Sequence, residues 1–341
     1  MWLAFISIVF LELVELNTAF YGSSRVPSKA AFLFASKLHE DDNAGVSQNS
    51  SRRNFIAFTS SLTSALPFLI NVQPSKADED KPICVIGANG RTGTQCVMAC
   101  LEKSIPVRAT SRTGVYNGQI NNQLLSTMLC DVTDASTIRS AVQGSRAVIF
   151  AASASKQGGT PAAVDNLGLV NVAQACLDNQ VPQLVIVSSG SVTKPDSPVY
   201  KFLNLFGNIM EEKIKGEDAV RALYKNVSGL SYTVIRPGGL TEEPSLGIAA
   251  LELNQGDTKS GRISRADVGL LCIESTFYPQ LTGGTTFECY NADTGKPLAT
   301  VGISNILKAK NKDGDSNVYL TGKEHRGDTW EALFVGLDKD V

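Results

Sequence analysis

Residues 83–93 read I-C-V-I-G-A-N-G-R-T-G, a four-residue apolar run followed by Gly87, Gly90 and Gly93. So short a β-rich run suits a strand buried on both faces. The glycines let the chain turn tightly and pass close to an anion. They also open a helix whose unpaired N–H groups face that anion. The stretch predicts strand, loop and helix in succession, with a dinucleotide pyrophosphate seated on the loop. Its expected contacts are Gly87, Asn89, Gly90, Arg91, Thr92 and Gly93.

Outward from this loop, strand and helix patterns alternate. Strands are expected at Ile83–Ile86, Pro106–Thr110, Thr127–Cys130, Ala147–Ala151, Leu184–Ser188 and Tyr232–Arg236, each buried on both faces. Helices are expected at Arg91–Lys103, Asp134–Gln143, Pro161–Asn179 and Asn208–Tyr224. This rhythm implies an α/β fold, a Rossmann-type doubly wound parallel sheet. Right-handed crossovers bring the strand carboxyl ends to one edge, where the ligand belongs. Ala151 and Ala152 end the fourth strand and are expected at that edge. Residues 237–262 read as loop, followed by a helix at Ser264–Glu274, a strand at Thr285–Asn291, and helices at Leu298–Lys308 and Asp328–Val335. The core is therefore placed at 82–236 and a small substrate-side region at 237–341, both within a domain 78–341.

The whole chain has 341 residues, 43% hydrophobic and 19% charged, an ordinary globular composition. A net charge of −2 leaves no basic footprint for nucleic acid. No charge-free run of consecutive apolar residues reaches the roughly 18 of a membrane span, so none is expected in the mature protein. Seven cysteines, with no C-x-x-C pair, read as core thiols. His39 and His325 stand alone, and no metal site is predicted.

Residues 1–77 read as addresses rather than fold. Residues 2–11, W-L-A-F-I-S-I-V-F-L, resemble the apolar core of a signal peptide, assigned to 1–19. Residues 20–38 are rich in Ser, Lys, Arg and Ala and lack acids, as plastid transit peptides do; that segment is assigned to 20–50. The junction Thr18-Ala19-Phe20 resembles the bipartite plastid presequences of diatoms and related algae. Arg52 and Arg53 precede a moderately apolar run and S-K-A at 75–77, so 51–77 reads as a twin-arginine-like thylakoid signal or a linker. The expected location is the plastid, with the thylakoid lumen and the stroma both open.

The second strand ends Ala109-Thr110-Ser111-Arg112, with no carboxylate to hold the ribose hydroxyls of NAD. Ser111, Arg112 and Arg91 suit a 2′-phosphate through forked, charge-assisted hydrogen bonds. NADP(H) is expected, with NAD(H) as the alternative. Asp131 and Val132, ending the third strand, are expected near the adenine; Asp131 also suits a helix cap.

Five motifs occur in order: the glycine loop, Cys130-Asp131-Val132, V-I-V-S-S-G (185–190), S-G-L-S-Y-T-V-I-R-P-G-G-L (228–240) and I-S-R-A-D-V (263–268). Together they resemble the atypical short-chain dehydrogenase/reductases of the NAD(P)-binding, NmrA-like group over about residues 82–292. The resemblance implies that Pro237 and Gly238 border the nicotinamide. It also implies a serine followed by Tyr-x-x-x-Lys, in which the tyrosine is acid/base. Ser188 (or Ser189) and Tyr200 fit, but Asn204 stands where the lysine should. Tyr319 and Lys323 match the spacing only by chance. In K-I-K-G-E (213–217), Lys213 matches a position that reaches cofactor or substrate in relatives, and Lys215 is second. The bland alternative is a solvated helix face with a Lys213–Glu217 pair. Ser188, Tyr200 and Lys213 are thus the catalytic candidates for an NADPH-dependent oxidoreductase of an unknown small-molecule substrate. A non-catalytic dinucleotide-binding scaffold or redox sensor, aiding assembly of photosynthetic complexes, is the alternative. A sugar-nucleotide isomerase or epimerase is weaker, because it also needs the tyrosine–lysine pair.

Overall fold

The computed structural model describes residues 80–155, 158–205, 207–298 and 321–340. The presequence segments, Tyr319 and nearly all of the helix expected at Leu298–Lys308 lie outside the described residues.

The first strand β1 (Ile83–Ile86) feeds helix α1 (Arg91–Glu102), then β2 (Val107–Ser111) and β3 (Leu125–Leu129). Helix α2 (Ala135–Val142) leads to β4 (Ala147–Phe150), and α3 (Leu169–Asp178) to β5 (Gln183–Val187). Next come α4 (Pro198–Asn204), α5 (Ile209–Tyr224), β6 (Ser231–Pro237), and the short strands β7 (Gly239–Thr241), β8 (Leu251–Asn254), β9 (Lys259–Ser260) and β10 (Arg262–Ser264). Helices α6 (Arg265–Ser275) and α7 (Pro279–Thr282) precede β11 (Thr285–Asn291), followed by β12 (Lys296–Pro297) and α8 (Trp330–Phe334). Eight strands form one sheet in the order β3-β2-β1-β4-β5-β6-β11-β8. All pairs are parallel except β11 with β8. The order reverses between β1 and β4, and that switch point is where an open α/β sheet leaves a ligand crevice.

Alternation along β1 divides the core. Ile83 and Val85 pack with α1 and α6 on one face; Cys84 and Ile86 pack with α2, α3 and α5 on the other. Each fully buried aliphatic side chain contributes roughly 1.5–3 kcal/mol of burial. All seven cysteines are free and buried. Asp134 caps α2, accepting a hydrogen bond from Ser136 N at 2.9 Å.

Several expectations change. Of the six strands expected to be buried on both faces, β3 alone is not, because it is the sheet edge and both its faces meet solvent. The helix expected from Pro161 opens as a wide π-type turn over Ala162–Gly168 before α3 begins. The helix expected from Asn208 is preceded by a separate α4, capped by Ser197 and started by Pro198. Residues 237–262 are not plain loop. They hold β7, β8, β9 and the first residue of β10, and β8 completes the main sheet. Strand β8 reads L-E-L-N and hides from a hydrophobicity scan because its buried Glu252 is neutralised by Lys259 at 2.7 Å and by Arg326.

Candidate functional site

At the switch point the glycine loop touches the chain leaving β4. Gly87 has φ +81, and a Cβ there would lie 2.8 Å from the backbone N and Cα of Ala152. A Cβ on Gly93 would meet Gly87 O at 2.2 Å. Only glycine allows this packing, which leaves the first turn of α1 without a side-chain cap. The loop is therefore a bare backbone cradle at a helix N-terminus, next to Ala151 and Ala152, and it fits a pyrophosphate.

The neighbouring candidates take more particular places. Asn89 ties the cradle to the segment after β2: its Nδ2 donates to Val115 O and its Oδ1 accepts from Asn117 N, both at 2.8 Å. Thr92 lies in the first turn of α1. Ser111 Oγ donates to Val115 O at 2.8 Å. Arg91 Nη1 is 3.1 Å from Glu242 Oε1, and Arg265 Nη1 is 2.6 Å from the same oxygen. Burial and the nearby Arg91 together lower the pKa of Arg265. Arg112 stands elsewhere, beside Gly158, whose Cβ would be 3.6 Å from its guanidinium.

Asp131 Oδ1 accepts from Thr133 N and Oγ1, at 2.9 and 2.7 Å, and so braces the turn into α2. Val132 packs under the π turn, so close that a Cβ on Gly168 would sit 2.6 Å from it. Pro237 O accepts from Gly190 N at 2.8 Å. A Cβ on Gly238 would lie 2.3 Å from Gly261 O. This pair locks the end of β6 to the loop after β5 and to Gly261, the link between β9 and β10.

Beyond β4 and β5, Ser188, Lys213, Asp165 and Glu217 line one small cavity floored by Phe150 and Ile186. The π turn delivers Asp165, which is buried and accepts from Ser153 Oγ at 2.7 Å and Ala154 N at 2.8 Å. Lys213 Nζ lies 2.7 Å from Asp165 Oδ1, with its side chain 13% exposed. This corrects the solvated-face alternative: Lys213 pairs with Asp165, not with Glu217. Gly216 permits the approach, since a Cβ there would be 2.6 Å from Asp165 O.

Glu217 is fully buried and accepts from Ser188 Oγ at 2.5 Å, Arg236 Nη2 at 2.6 Å and Arg221 Nη2 at 2.8 Å. Burial alone would raise its pKa; Arg236, then Arg221 and Ser188, outweigh that and hold it below the usual carboxylate range. Arg236 also approaches Glu288 at 3.6 Å. Burial, then the nearby Asp257, pushes Glu288 up to about 8. Arg221 Nε reaches Asp340 at 3.1 Å, and Asp340 also accepts from Tyr232 and Thr286. Hydrophobicity patterns carried no sign of this chain of buried charges. Its only trace was an arginine inside an otherwise apolar strand, T-V-I-R-P.

Tyr200 is placed differently. Its pKa is raised by partial burial and by Glu211. Glu211 and Lys215 pair at 2.8 Å on the exposed side of α5, about 200° round the helix from Lys213 and Glu217. The structure unites Ser188 and Lys213 but leaves Tyr200 off the cavity. Ser189 Oγ donates to Gly190 O at 3.2 Å.

A model of NAD(P)H-binding proteins matches residues 87–279, from the first glycine of the cradle through α6 and into α7. The chain belongs to the NAD(P)H-binding family. It is 32% identical over 215 residues to the uncharacterized chloroplastic protein At2g34460 of Arabidopsis thaliana, covering 60% of this chain and 74% of that one. It is 29% identical over 195 residues to the chloroplastic protein TIC 62 of Pisum sativum, covering 50% of this chain but 35% of that one. Sanguinarine reductase of Eschscholzia californica is 26% identical over 247 residues, with 58% and 86% covered. The same fold occurs in the oxidoreductase ylbE from Lactococcus lactis, with a TM-score of 0.51 at 20% identity, covering 62% of this chain and 90% of that one. Among the described residues, no helix is long and apolar enough to cross a membrane.

Proposed function

We propose that this NAD(P)H-binding protein is an NADP(H)-dependent reductase of a small carbonyl or conjugated compound in the plastid. The observation that carries this reading is the meeting of Ser188 and Lys213 at one cavity, at the carboxyl ends of β4 and β5. Gly87, Gly90, Gly93 and the start of α1 hold the pyrophosphate. Arg112, with Ser111, holds the 2′-phosphate, while Arg91 remains with Glu242. The bound cofactor supplies the hydride. Lys213 rather than Tyr200 donates the proton, Asp165 keeps its ammonium in place, and Ser188 orients the substrate.

Fluorescence titration of the full chain with NADPH and NADH tests the cofactor assignment. NADPH is expected to bind more tightly, and Arg112→Glu to reverse the order; an unchanged preference would refute the role of Arg112. NADPH oxidation across quinones, aldehydes and enones tests the reaction.

Tyr200 off the cavity, with Asn204 four residues on, favours a second reading. In it the protein is a dinucleotide-loaded scaffold or redox sensor aiding photosynthetic complex assembly. Tight NADPH binding with no oxidation by any compound in the panel would select it. The chloroplastic relatives and the presequence pattern support the plastid location. A mature N-terminus at Asp78 would select the thylakoid lumen, and one near Phe20 the stroma.

A further inference from the structure

A larger cavity lies between α1 and the chain leaving β7. It has a volume of about 190 Å³, and Gln95, Thr241, Glu242, Glu243, Arg265 and Ala266 line it. A water takes up roughly 30 Å³ of liquid, so the space admits several waters or one phosphate-sized oxyanion. None of these residues lines the cavity at Ser188 and Lys213. Gln95 stands one turn along α1 from Arg91, and α6 packs against it so closely that a Cβ on Gly269 would lie 2.8 Å from its carbonyl carbon.

Arg265 sets the chemistry of this cavity. It is 7% exposed, yet only one corner of its guanidinium is engaged. Nη1 donates to Glu242 Oε1 at 2.6 Å and to Thr241 O at 3.4 Å. Among the described residues, Nε and Nη2 have no partner, and neither is sealed off by protein atoms. That edge is the one that grips an oxyanion by parallel, charge-assisted hydrogen bonds. Glu242 does not neutralise the site. Its Oε1 is shared with Arg91 at 3.1 Å, so two guanidinium charges meet one carboxylate, whose side chain is 59% exposed. Glu243 also lines the cavity, but it is exposed, and solvent ions screen it. The side chains of Gln95 and Thr241 donate to no described residue. Arg265 and Ala266 open α6, whose first N–H groups favour negative charge.

We propose that this cavity is an oxyanion-binding site, in which the Nε–Nη2 edge of Arg265 grips a phosphate-type group and Gln95 and Thr241 add neutral donors. Glu242 is its internal competitor, because it occupies the remaining nitrogen of the same guanidinium and repels the incoming charge. The site takes no part in hydride transfer and holds whether or not the protein reduces a substrate. Its phosphate is carried by a separate small molecule or by the dinucleotide, whose cradle begins one turn away at Arg91.

Inorganic phosphate is the probe, titrated by calorimetry into the full chain at constant ionic strength, with and without saturating NADPH. Saturable binding is expected. Arg265→Gln should weaken it at least about 10-fold, and Glu242→Gln should tighten it about 3-fold or more, since the competitor loses its charge. A gain in affinity cannot come from misfolding, so Glu242→Gln decides the matter if Arg265→Gln lowers the melting temperature. Phosphate that binds beside NADPH and still depends on Arg265 identifies a separate ligand. Phosphate excluded by NADPH, with a matching loss of NADPH affinity in Arg265→Gln, identifies the dinucleotide's own phosphates. No saturable binding, binding unchanged in Arg265→Gln, or binding not tightened in Glu242→Gln would each overturn the proposal.

Discussion

Arg236 lies 2.6 Å from Glu217, and both are buried where strand β6 passes under helix α5. Removing one partner strands the other's charge in the core, which typically costs 3–5 kcal/mol. Arg236→Met is thus expected to destabilise by about that amount. Glu217→Leu combined with Arg236→Met should cost less than the sum of the singles, with a coupling of about 1–3 kcal/mol. Urea denaturation of the four proteins measures this; strict additivity would show the pair to be independent.

Gly87 and Gly144 separate backbone strain from close approach. Both have positive φ, +81 and +70, but only Gly87 has backbone atoms where a Cβ would go. Gly144→Ala should cost about 1–2 kcal/mol and leave dinucleotide affinity intact. Gly87→Ala adds the collision with Ala152 and is expected to abolish dinucleotide binding as well. Thermal melts with NADPH titration distinguish them, and equal affinity losses would be contrary to the assignment.

Glu288 makes stability fall as pH rises. Its carboxyl ionises near 8 in the folded chain, against an ordinary value of about 4.3 in the unfolded one. Between these values the folded state binds the extra proton, so folding is favoured at the acid end and loses ground until about pH 8. Glu288→Gln should flatten this slope, on the order of a few kcal/mol across the window. Melting temperatures from pH 5.5 to 8.5 report it; parallel curves for wild type and variant would contradict it.

Asp340 should matter more than its place near the chain end suggests. It accepts from Arg221 at 3.1 Å, Tyr232 at 2.9 Å and Thr286 at 2.6 Å. Asp340→Ala leaves those buried or half-buried donors unpaired and is expected to cost about 1–3 kcal/mol. Phe334→Ala, in the same segment and fully buried against Phe287 and Tyr278, should cost about 3–5 kcal/mol. Chemical denaturation gives both; a change under half a kilocalorie in either would show the segment to be loosely held.

Lys213→Met and Tyr200→Phe divide the proposed proton donors. Lys213→Met is expected to lower kcat for NADPH oxidation by about 100-fold or more, the usual contribution of a general acid. Tyr200→Phe should leave it within a factor of about two. The opposite ranking would return the role to Tyr200.

The sequence by itself determined the sheet core and the cradle. Short β-rich runs buried on both faces, helices with cap residues and three spaced glycines are local signals. Local backbone and solvation physics reads them without knowledge of distant residues. The arrangement of charge was decided only in three dimensions. Asp165 meets Lys213 across 48 positions, and Arg221 meets Asp340 across 119. Strand β8 looked like loop because its one charge, Glu252, is neutralised only in the folded chain, by Lys259 seven positions on and by Arg326 74 positions on. An ion pair leaves no periodicity in the sequence, and a polar residue reads as exposed until its partner is known. For that reason the glycine loop was legible from residues 83–93, whereas the direction in which Ser188 points its proton was not.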